Sequence, residues 1–136
     1  MTKGHVPAID RYGHGMATNY TWRGEFTSTE LNELHAEAFE TRVFGDDEWD
    51  WRRQVDQHSF GWVVARDHRG RLVGFVNVVS DGLVHAWIQD VMVSVSGRRR
   101  GIGQGVVTTA TDAVRGAGYE WLHVDFGDDL KAFYIE

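Results

Sequence analysis

The chain has 136 residues, of which 42% are hydrophobic and 25% are charged, as in one ordinary globular domain. Its net charge of −6 disfavours nucleic acid and anionic membranes as partners. The absence of cysteine excludes disulfides, thiolate metal sites and a cysteine nucleophile, and it fits a reducing cytoplasm. No apolar run approaches the roughly 18 residues of a membrane span, and the N-terminus lacks the apolar core of a secretory signal.

The first part of the chain predicts a leader followed by two helices. Residues 1–19 contain the only proline, several glycines and no apolar period, so we expect a flexible leader before a domain over 20–136. A short β-forming run at 20–22 is a candidate strand. Thr27 and Glu30 form a capping-box pattern, which predicts that a helix begins there. A second helix is predicted from Asp46 to about Gln57.

Three predicted strands follow the two helices. Each is a run of β-branched and aromatic residues bounded by turn residues. The runs cover 60–66, 72–79 and 83–95. Because 67–70 and 81–82 have the composition of turns, we expect antiparallel pairing in this part of the chain.

The apolar period changes to that of a helix at Ile102, and glycines at 116 and 118 end this helix. A strand at 121–126 is expected to run parallel to the long strand, across the helical crossover. A last helix is predicted from Asp128 to Tyr134. The order of elements predicts the α+β class, with a mixed, mostly antiparallel sheet flanked by helices in three layers.

The strongest functional signal is the segment 90–105, where the long strand meets the start of the amphipathic helix. The joining turn contains consecutive arginines and alternating glycines: Arg98, Arg99, Arg100, Gly101, Gly103 and Gly105. A helix start has unpaired N–H groups and a positive dipole end, glycine lets a phosphate approach, and arginine adds donors. The segment therefore predicts a phosphate site of unspecified identity. The alternative is a glycine-rich loop beside a solvated basic run.

Two families share this pattern. Asp90-Val91-Met92-Val93, followed after a spacer by Arg98, Gly101 and Gly103, resembles the strand-loop-helix motif of the GNAT N-acetyltransferases. Val95 stands where that family often has proline. The run 96–103 is similar to the Thr-Gly-x-x-x-Gly-x-Gly turn of short-chain dehydrogenases, and Asp125 lies at a suitable distance for a ribose contact.

The position of the turn favours the acetyltransferase family. Only 33 residues follow Gly103, and no Tyr-x-x-x-Lys pair is among them. The residues before the turn have the pattern of hairpins, whereas a dinucleotide fold begins with its glycine-rich turn. The dehydrogenase alternative, a fragment binding NAD(P), requires a parallel sheet.

The resemblance implies an N-acetyltransferase that uses acetyl-CoA, with the pantetheine inserted beside the long strand like an added strand. Backbone groups of the strand would hold the pantetheine and thioester, and the turn would hold the pyrophosphate. The candidate cofactor-binding residues are Val91, Met92, Val93, Arg98, Arg99, Arg100, Gly101, Ile102, Gly103, Gln104 and Gly105. A non-catalytic acyl-CoA-binding module of the same fold is the second alternative.

The resemblance also implies direct attack of an amine on the thioester, which needs a base for the amine and an acid for the leaving thiolate. Tyr134 is the candidate acid, because Phe133-Tyr134 resembles a pair in the family; otherwise it is a packing residue. Asp90 is the candidate base, directly or through water, or else a carboxylate satisfied by its neighbours. Gly127-Asp128 stands where the family commonly has asparagine, which weakens one expected cofactor contact.

The remaining features concern the acceptor and the limits of the domain. The segment 44–51 is acidic and aromatic, so it could cover a cationic amine, or it is a solvated helix start. We interpret His85 and His123 as core histidines and expect no metal. The acceptor stays open among polyamines, amino acids, drugs and protein amines. Since the family usually continues beyond its last helix, we expect C-terminal strands to be missing here, and a homodimer is compatible with the sequence.

Overall fold

A computed structural model describes residues 8–9, 17–98 and 100–124 of the chain. Its centre is a mixed sheet in which neighbouring strands follow chain order. The strands are β1 (Ala8–Ile9), β2 (Ala17–Trp22), β3 (Gly61–Arg66), β4 (Leu72–Ser80), β5 (His85–Val93) and β6 (Trp121–Val124). All neighbours from β1 to β5 pair antiparallel, whereas β5 and β6 are parallel. This pairing confirms the predicted mixed sheet and excludes the dehydrogenase fragment.

Helices cover both faces of the sheet. They are α1 (Ser28–Phe39), α2 (Trp51–His58) and α3 (Ile102–Gly116), and a short 3-10 helix (Val95–Gly97) connects β5 to α3. Under α3 lies a core rich in valine, with Val76, Val106 and Val114 fully buried. Under α1 and α2 lies a core that contains Trp51 and Phe75. The three-layer α+β prediction is therefore confirmed, and the crossover through α3 explains the parallel strand β6.

The capping box at the start of α1 is present as predicted. The Thr27 hydroxyl accepts the Glu30 N–H at 3.1 Å, and the Glu30 carboxylate accepts the Thr27 N–H at 2.9 Å. Arg66 on β3 donates to the same carboxylate at 2.8 Å. Three residues therefore both begin the helix and fix it to the sheet.

The second helix begins later than the prediction of Asp46, at Trp51. Asp50 is its N-cap and accepts the Arg53 N–H at 3.1 Å. The Asp46 carboxylate instead accepts hydrogen bonds from Thr29 and Asn32 of α1. The prediction was wrong because Asp46 has a partner in another element, which its local sequence does not indicate.

The long strand is shorter than the predicted run 83–95. Asp81 accepts the N–H groups of Leu83 and His85 in a turn, so β5 starts at His85. At the other end the Ser94 hydroxyl accepts the Gly97 N–H at 3.0 Å, and this starts the 3-10 helix. At the N-terminal side β2 begins at Ala17, within the run predicted as leader.

Candidate active site

A bulge interrupts the pairing of β4 with β5. Phe75 is opposite Met92 and Asn77 is opposite Gln89, so Asp90 and Val91 together face the single residue Val76. Asp90 has a φ of +57°, in the left-handed region that aspartate tolerates better than most side chains. A bulge of this kind bends the strand and redirects side chains. It places Asp90 on the face of the sheet that carries α1 and α2.

The other edge of β5 is only partly paired. The register with β6 runs from His85 opposite Trp121 to Ile88 opposite Val124. Within the described residues, 89–93 have no strand partner on this side. An unpaired strand edge offers alternating N–H and C=O groups to an extended ligand. The edge contains Val91, Met92 and Val93, which were predicted to hold the pantetheine.

Asp90 is half-buried and lies against a buried amide. Its Oδ2 is 3.5 Å from Nδ2 of Asn77. Burial raises the pKa of the Asp90 carboxyl, while the Asn77 hydrogen bond and the charge of His35 oppose that rise. A carboxylate with a raised pKa accepts a proton more readily at neutral pH. The position of Asp90 is therefore suited to a base.

Sequence reasoning missed the residues that surround Asp90. Asn77 is fully buried. Its Oδ1 accepts the Ser59 hydroxyl, and its Nδ2 is 3.4 Å from the Gln54 side-chain oxygen. An asparagine inside the otherwise apolar run of β4 is the signal that could have identified this cluster, because buried polar side chains are uncommon.

The turn after β5 presents the start of α3 without a side-chain cap. Gly101 is the N-cap residue, has a φ of +79° and makes no side-chain cap hydrogen bond. The N–H groups of Ile102, Gly103 and Gln104 have no acceptor inside the helix, because the first intrahelical bond is Gly105 to Gly101. Together with the positive end of the dipole, these amides can bind an anion.

Glycine occurs at positions 103 and 105 for different structural reasons. A Cβ on Gly103 would have Val93 as its nearest neighbour at 3.5 Å, an ordinary contact. A Cβ on Gly105 would lie 2.3 Å from the ring of Tyr20 on β2. Packing of α3 against β2 thus explains the glycine at 105, rather than the approach of a phosphate that we had assigned to it. The approach remains open at Gly101 and Gly103.

The arginines of the turn also differ. Arg98 donates to the carbonyl of Ala38 at 3.1 Å, so its guanidinium fixes the turn to the end of α1. Glu37 strengthens this attachment by accepting the Val95 N–H. Arg100 lines a cleft of about 90 Å³, together with Thr18, His68 and Ser96. Arg99 lies outside the described residues. Of the described pair, Arg100 is therefore better placed to meet a phosphate.

The carboxylates of the 44–51 segment have structural partners. Asp46 is bonded to α1 and Asp50 caps α2. Glu48 pairs with Arg42 at 2.7 Å, and this pairing, with the Gly45 N–H, lowers the pKa of the exposed Glu48 carboxyl to about 2. These contacts favour the alternative in which the acids organise the segment, over an acidic wall for a cation.

His85 and His123 are not isolated core histidines. Nδ1 of His85 is 2.8 Å from Nε2 of His123, and the two half-buried rings stack. In the part of the chain that the structure describes, no group of three or more histidine, aspartate or glutamate side chains could hold a metal. Likewise, none of the described helices is long and apolar enough to cross a membrane. Tyr134, Gly127, Asp128 and Asp125 lie outside the described residues.

A family model matches most of this chain. The model described as Acetyltransferase (GNAT) family matches residues 21–134. The chain belongs to the GNAT acetyltransferase family. The prediction from the strand-loop-helix motif is therefore confirmed. No curated relative matches the sequence.

Solved structures of GNAT proteins share the fold. A GNAT family N-acetyltransferase (YhbS) from Escherichia coli, in complex with CoA, has 19% identity and a TM-score of 0.62, over 79% of this chain and 61% of that chain. A GNAT acetyltransferase from Brucella melitensis, in complex with acetyl-CoA, has 17% identity and a TM-score of 0.60, over 81% of this chain and 79% of that chain. This chain thus spans less than two thirds of the E. coli protein.

A third solved structure is that of an aminoglycoside acetyltransferase. It comes from an uncultured soil metagenomic sample and is in complex with sisomicin. Its identity is 20% and its TM-score 0.64, with 84% of this chain and 79% of that chain covered. At these identities the likeness establishes the fold, and function has to be argued from the site.

Proposed function

We propose that this GNAT protein transfers the acetyl group of acetyl-CoA to a primary amine by direct attack. The observation that carries the proposal is the continuity of β5 with the uncapped start of α3. One short segment contains a bulge with a half-buried carboxylate, an unpaired strand edge and a set of free helix amides. An acyl-CoA bound in an extended conformation would need these features in this order. The carboxylate would lie near its thioester, the strand edge along its pantetheine, and the helix amides at its pyrophosphate.

The cosubstrate would lie along this segment. Backbone groups of Val91, Met92 and Val93 bind the pantetheine and orient the thioester carbonyl. The amides of Ile102, Gly103 and Gln104 bind the pyrophosphate, and Arg100 adds a charged donor beside it. The E. coli and B. melitensis neighbours, in complex with CoA and acetyl-CoA, support this choice of ligand. The absence of cysteine supports a cytoplasmic location for the reaction.

The chemistry would place the amine between Asp90 and the thioester. Asp90 accepts a proton from the amine, directly or through a water molecule, and Asn77 holds its carboxylate in place. The amine nitrogen forms a bond to the acetyl carbon, and the carbon–sulfur bond then breaks. The leaving thiolate takes a proton from an acid, for which Tyr134 remains our candidate. The products are an N-acetyl amide and CoA.

Calorimetric titration of the full chain with acetyl-CoA, with NADPH as the parallel ligand, tests the first part of the proposal. We expect saturable binding of acetyl-CoA alone. Release of CoA thiol in the presence of an amine panel tests the second part. Asp90→Asn should keep the binding and lose the thiol release. Binding without release for every amine would indicate a non-catalytic acyl-CoA module, and a folded chain that binds no acetyl-CoA would contradict the proposal.

A further inference from the structure

The end of α1 and the segment before α2 form a cluster of rings that we call the aromatic cluster. Its members are His35, Phe39, Phe44, Trp49 and Trp51. His35 lies at its centre, with the other four ring centroids between 5.0 and 5.9 Å away. Phe44 and Trp49 stack at 5.4 Å. Aromatic pairs at such distances stabilise one another beyond their buried area.

The outer rings of the aromatic cluster are exposed. Phe39 is 48% exposed and Trp49 is 44% exposed, and Val43, which precedes Phe44 in the chain, is 55% exposed. At the inner end Trp51 is buried. Asn32 holds this arrangement, since its amide donates to the Trp49 carbonyl at 3.1 Å and accepts the Trp51 indole N–H at 2.9 Å. The exposed rings are therefore a positioned apolar surface, which marks a binding site more often than a scattered exposed residue does.

The aromatic cluster continues inward to the bulge. Trp51 packs edge-on against Phe75 at 6.3 Å, and Phe75 is the register partner of Met92, next to the proposed thioester position. His35 is close enough to Asp90 for its charge to act on that carboxyl. An acceptor whose amine lies at Asp90 would therefore have the rest of its body over these rings.

The charges around the aromatic cluster indicate which class of acceptor molecule can bind over it. Three of the four carboxylates between residues 46 and 50 are bonded to protein groups: Asp46, Glu48 and Asp50. Arg42 lies over the Phe44 ring at 4.6 Å and neutralises Glu48, so this pair adds no net negative charge at the rim. A polyamine or an aminoglycoside carries several positive charges that need unengaged carboxylates.

We infer that the acceptor is a monoamine with an aromatic group, which stacks on Trp49 and Phe39 while its amino group lies at Asp90. This inference rests on the proposed function, because it names the substrate class of the same site. Such a molecule would contact one carboxylate, that of Asp90, and would stack on the exposed rings. A polycation would not stack on the rings, and the carboxylates of Asp46, Glu48 and Asp50 are already bonded to protein groups.

The test compares 2-phenylethylamine with n-butylamine, spermidine and sisomicin in the thiol-release assay. We expect kcat/KM for 2-phenylethylamine to exceed that for n-butylamine about tenfold, as expected from burying one ring. Trp49→Ala should lower kcat/KM for 2-phenylethylamine about tenfold and so remove this preference, with a smaller change for n-butylamine, and Trp49→Phe should keep most of the preference. Leu83→Ala is the matched control, since Leu83 is 77% exposed in the turn before β5.

The outcomes separate this inference from the proposed function. Equal rates for the two monoamines, or a preference for spermidine or sisomicin, would overturn the inference while the acetyltransferase stands. If no amine is acetylated, saturation-transfer NMR with 2-phenylethylamine still decides it. Signal transfer in the wild-type protein that Trp49→Ala abolishes would support the aromatic surface, and no transfer in the wild-type protein would overturn it.

Discussion

Asn77 and Asp90 face each other across the bulge between β4 and β5, with 3.5 Å between Nδ2 and Oδ2. The amide belongs to a fully buried side chain, and the carboxylate belongs to a half-buried one in a left-handed backbone conformation. A half-buried charge and a left-handed backbone each cost free energy, and we propose that the use of Asp90 in catalysis is the reason for both. This pair therefore links the stability of the fold to the proposed chemistry.

Asp90→Asn should increase stability and abolish turnover. Asparagine accepts the left-handed φ as readily as aspartate, so the backbone is kept. The substitution removes a charge that burial disfavours, and we expect a higher free energy of unfolding at pH 7. Loss of the base should lower kcat at least about 100-fold. Urea unfolding and thiol release measure the two effects, with the exposed Asp112→Asn as control. An active Asp90→Asn variant would remove Asp90 as the base.

The pH dependence of stability should reflect the raised pKa of the Asp90 carboxyl. Because burial raises its pKa in the folded state, the folded chain binds this proton more tightly than the unfolded chain. The protonated Asp90 carboxyl therefore contributes fully to the free energy of unfolding below the ordinary aspartate pKa. This contribution is lost as the pH rises through the pKa of the folded state. We expect the stability of the wild-type chain, relative to Asp90→Asn, to fall across that window. A difference that is constant with pH would contradict the raised pKa.

Two neighbouring glycines should respond in opposite ways to alanine. At Gly103 the new Cβ has room, so Gly103→Ala should raise stability by up to about 1 kcal/mol, since alanine favours helix. In the proposed complex the same methyl group would stand beside the pyrophosphate, so the Kd for acetyl-CoA should rise. Gly105→Ala should instead cost about 1–3 kcal/mol by displacing Tyr20. Urea unfolding and calorimetry distinguish them, and unaltered acetyl-CoA affinity in Gly103→Ala would argue against the pyrophosphate site.

The ion pair between Glu30 and Arg66 should matter only at higher pH. The Arg66 hydrogen bonds, with a smaller contribution from the Thr27 N–H, lower the pKa of the Glu30 carboxyl despite its partial burial. Its stabilisation is therefore present above the ordinary glutamate pKa and is lost as pH falls through the folded value. Glu30→Gln keeps the capping box but weakens the pair. We expect a loss below about 1 kcal/mol at pH 7 that disappears in acid. Thermal melts from pH 7 down to the lowest pH at which the chain stays folded check this, and a difference between the two proteins that does not shrink with falling pH would refute it.

The features that could be predicted from the sequence are those whose residues are close together along the chain. The capping box at Thr27 and Glu30 is local, so the start of α1 was predicted to the residue. The elements proposed to bind phosphate lie side by side in the turn from Arg98 to Gln104. The features that were missed depend on distant partners. Asp46 bonds to Asn32, which moves the start of α2. Asp90 meets Asn77 only in the folded chain, where Asn77 also bonds to Ser59 and Gln54.

Asn32 should be the residue on which the acceptor side of the site depends. Its side chain bonds to Asp46 and the Trp49 carbonyl in the segment before α2, and to the indole of Trp51, the first residue of α2. Asn32→Ala would leave the buried indole N–H unpaired, and we expect a loss of about 1–3 kcal/mol. Tryptophan emission should shift to longer wavelength as the rings become solvated. Thr29→Ala, which removes only an exposed bond to Asp46, should have a much smaller effect. If both variants behave alike, the segment is held by its own turn, and the aromatic surface does not need α1 for its position.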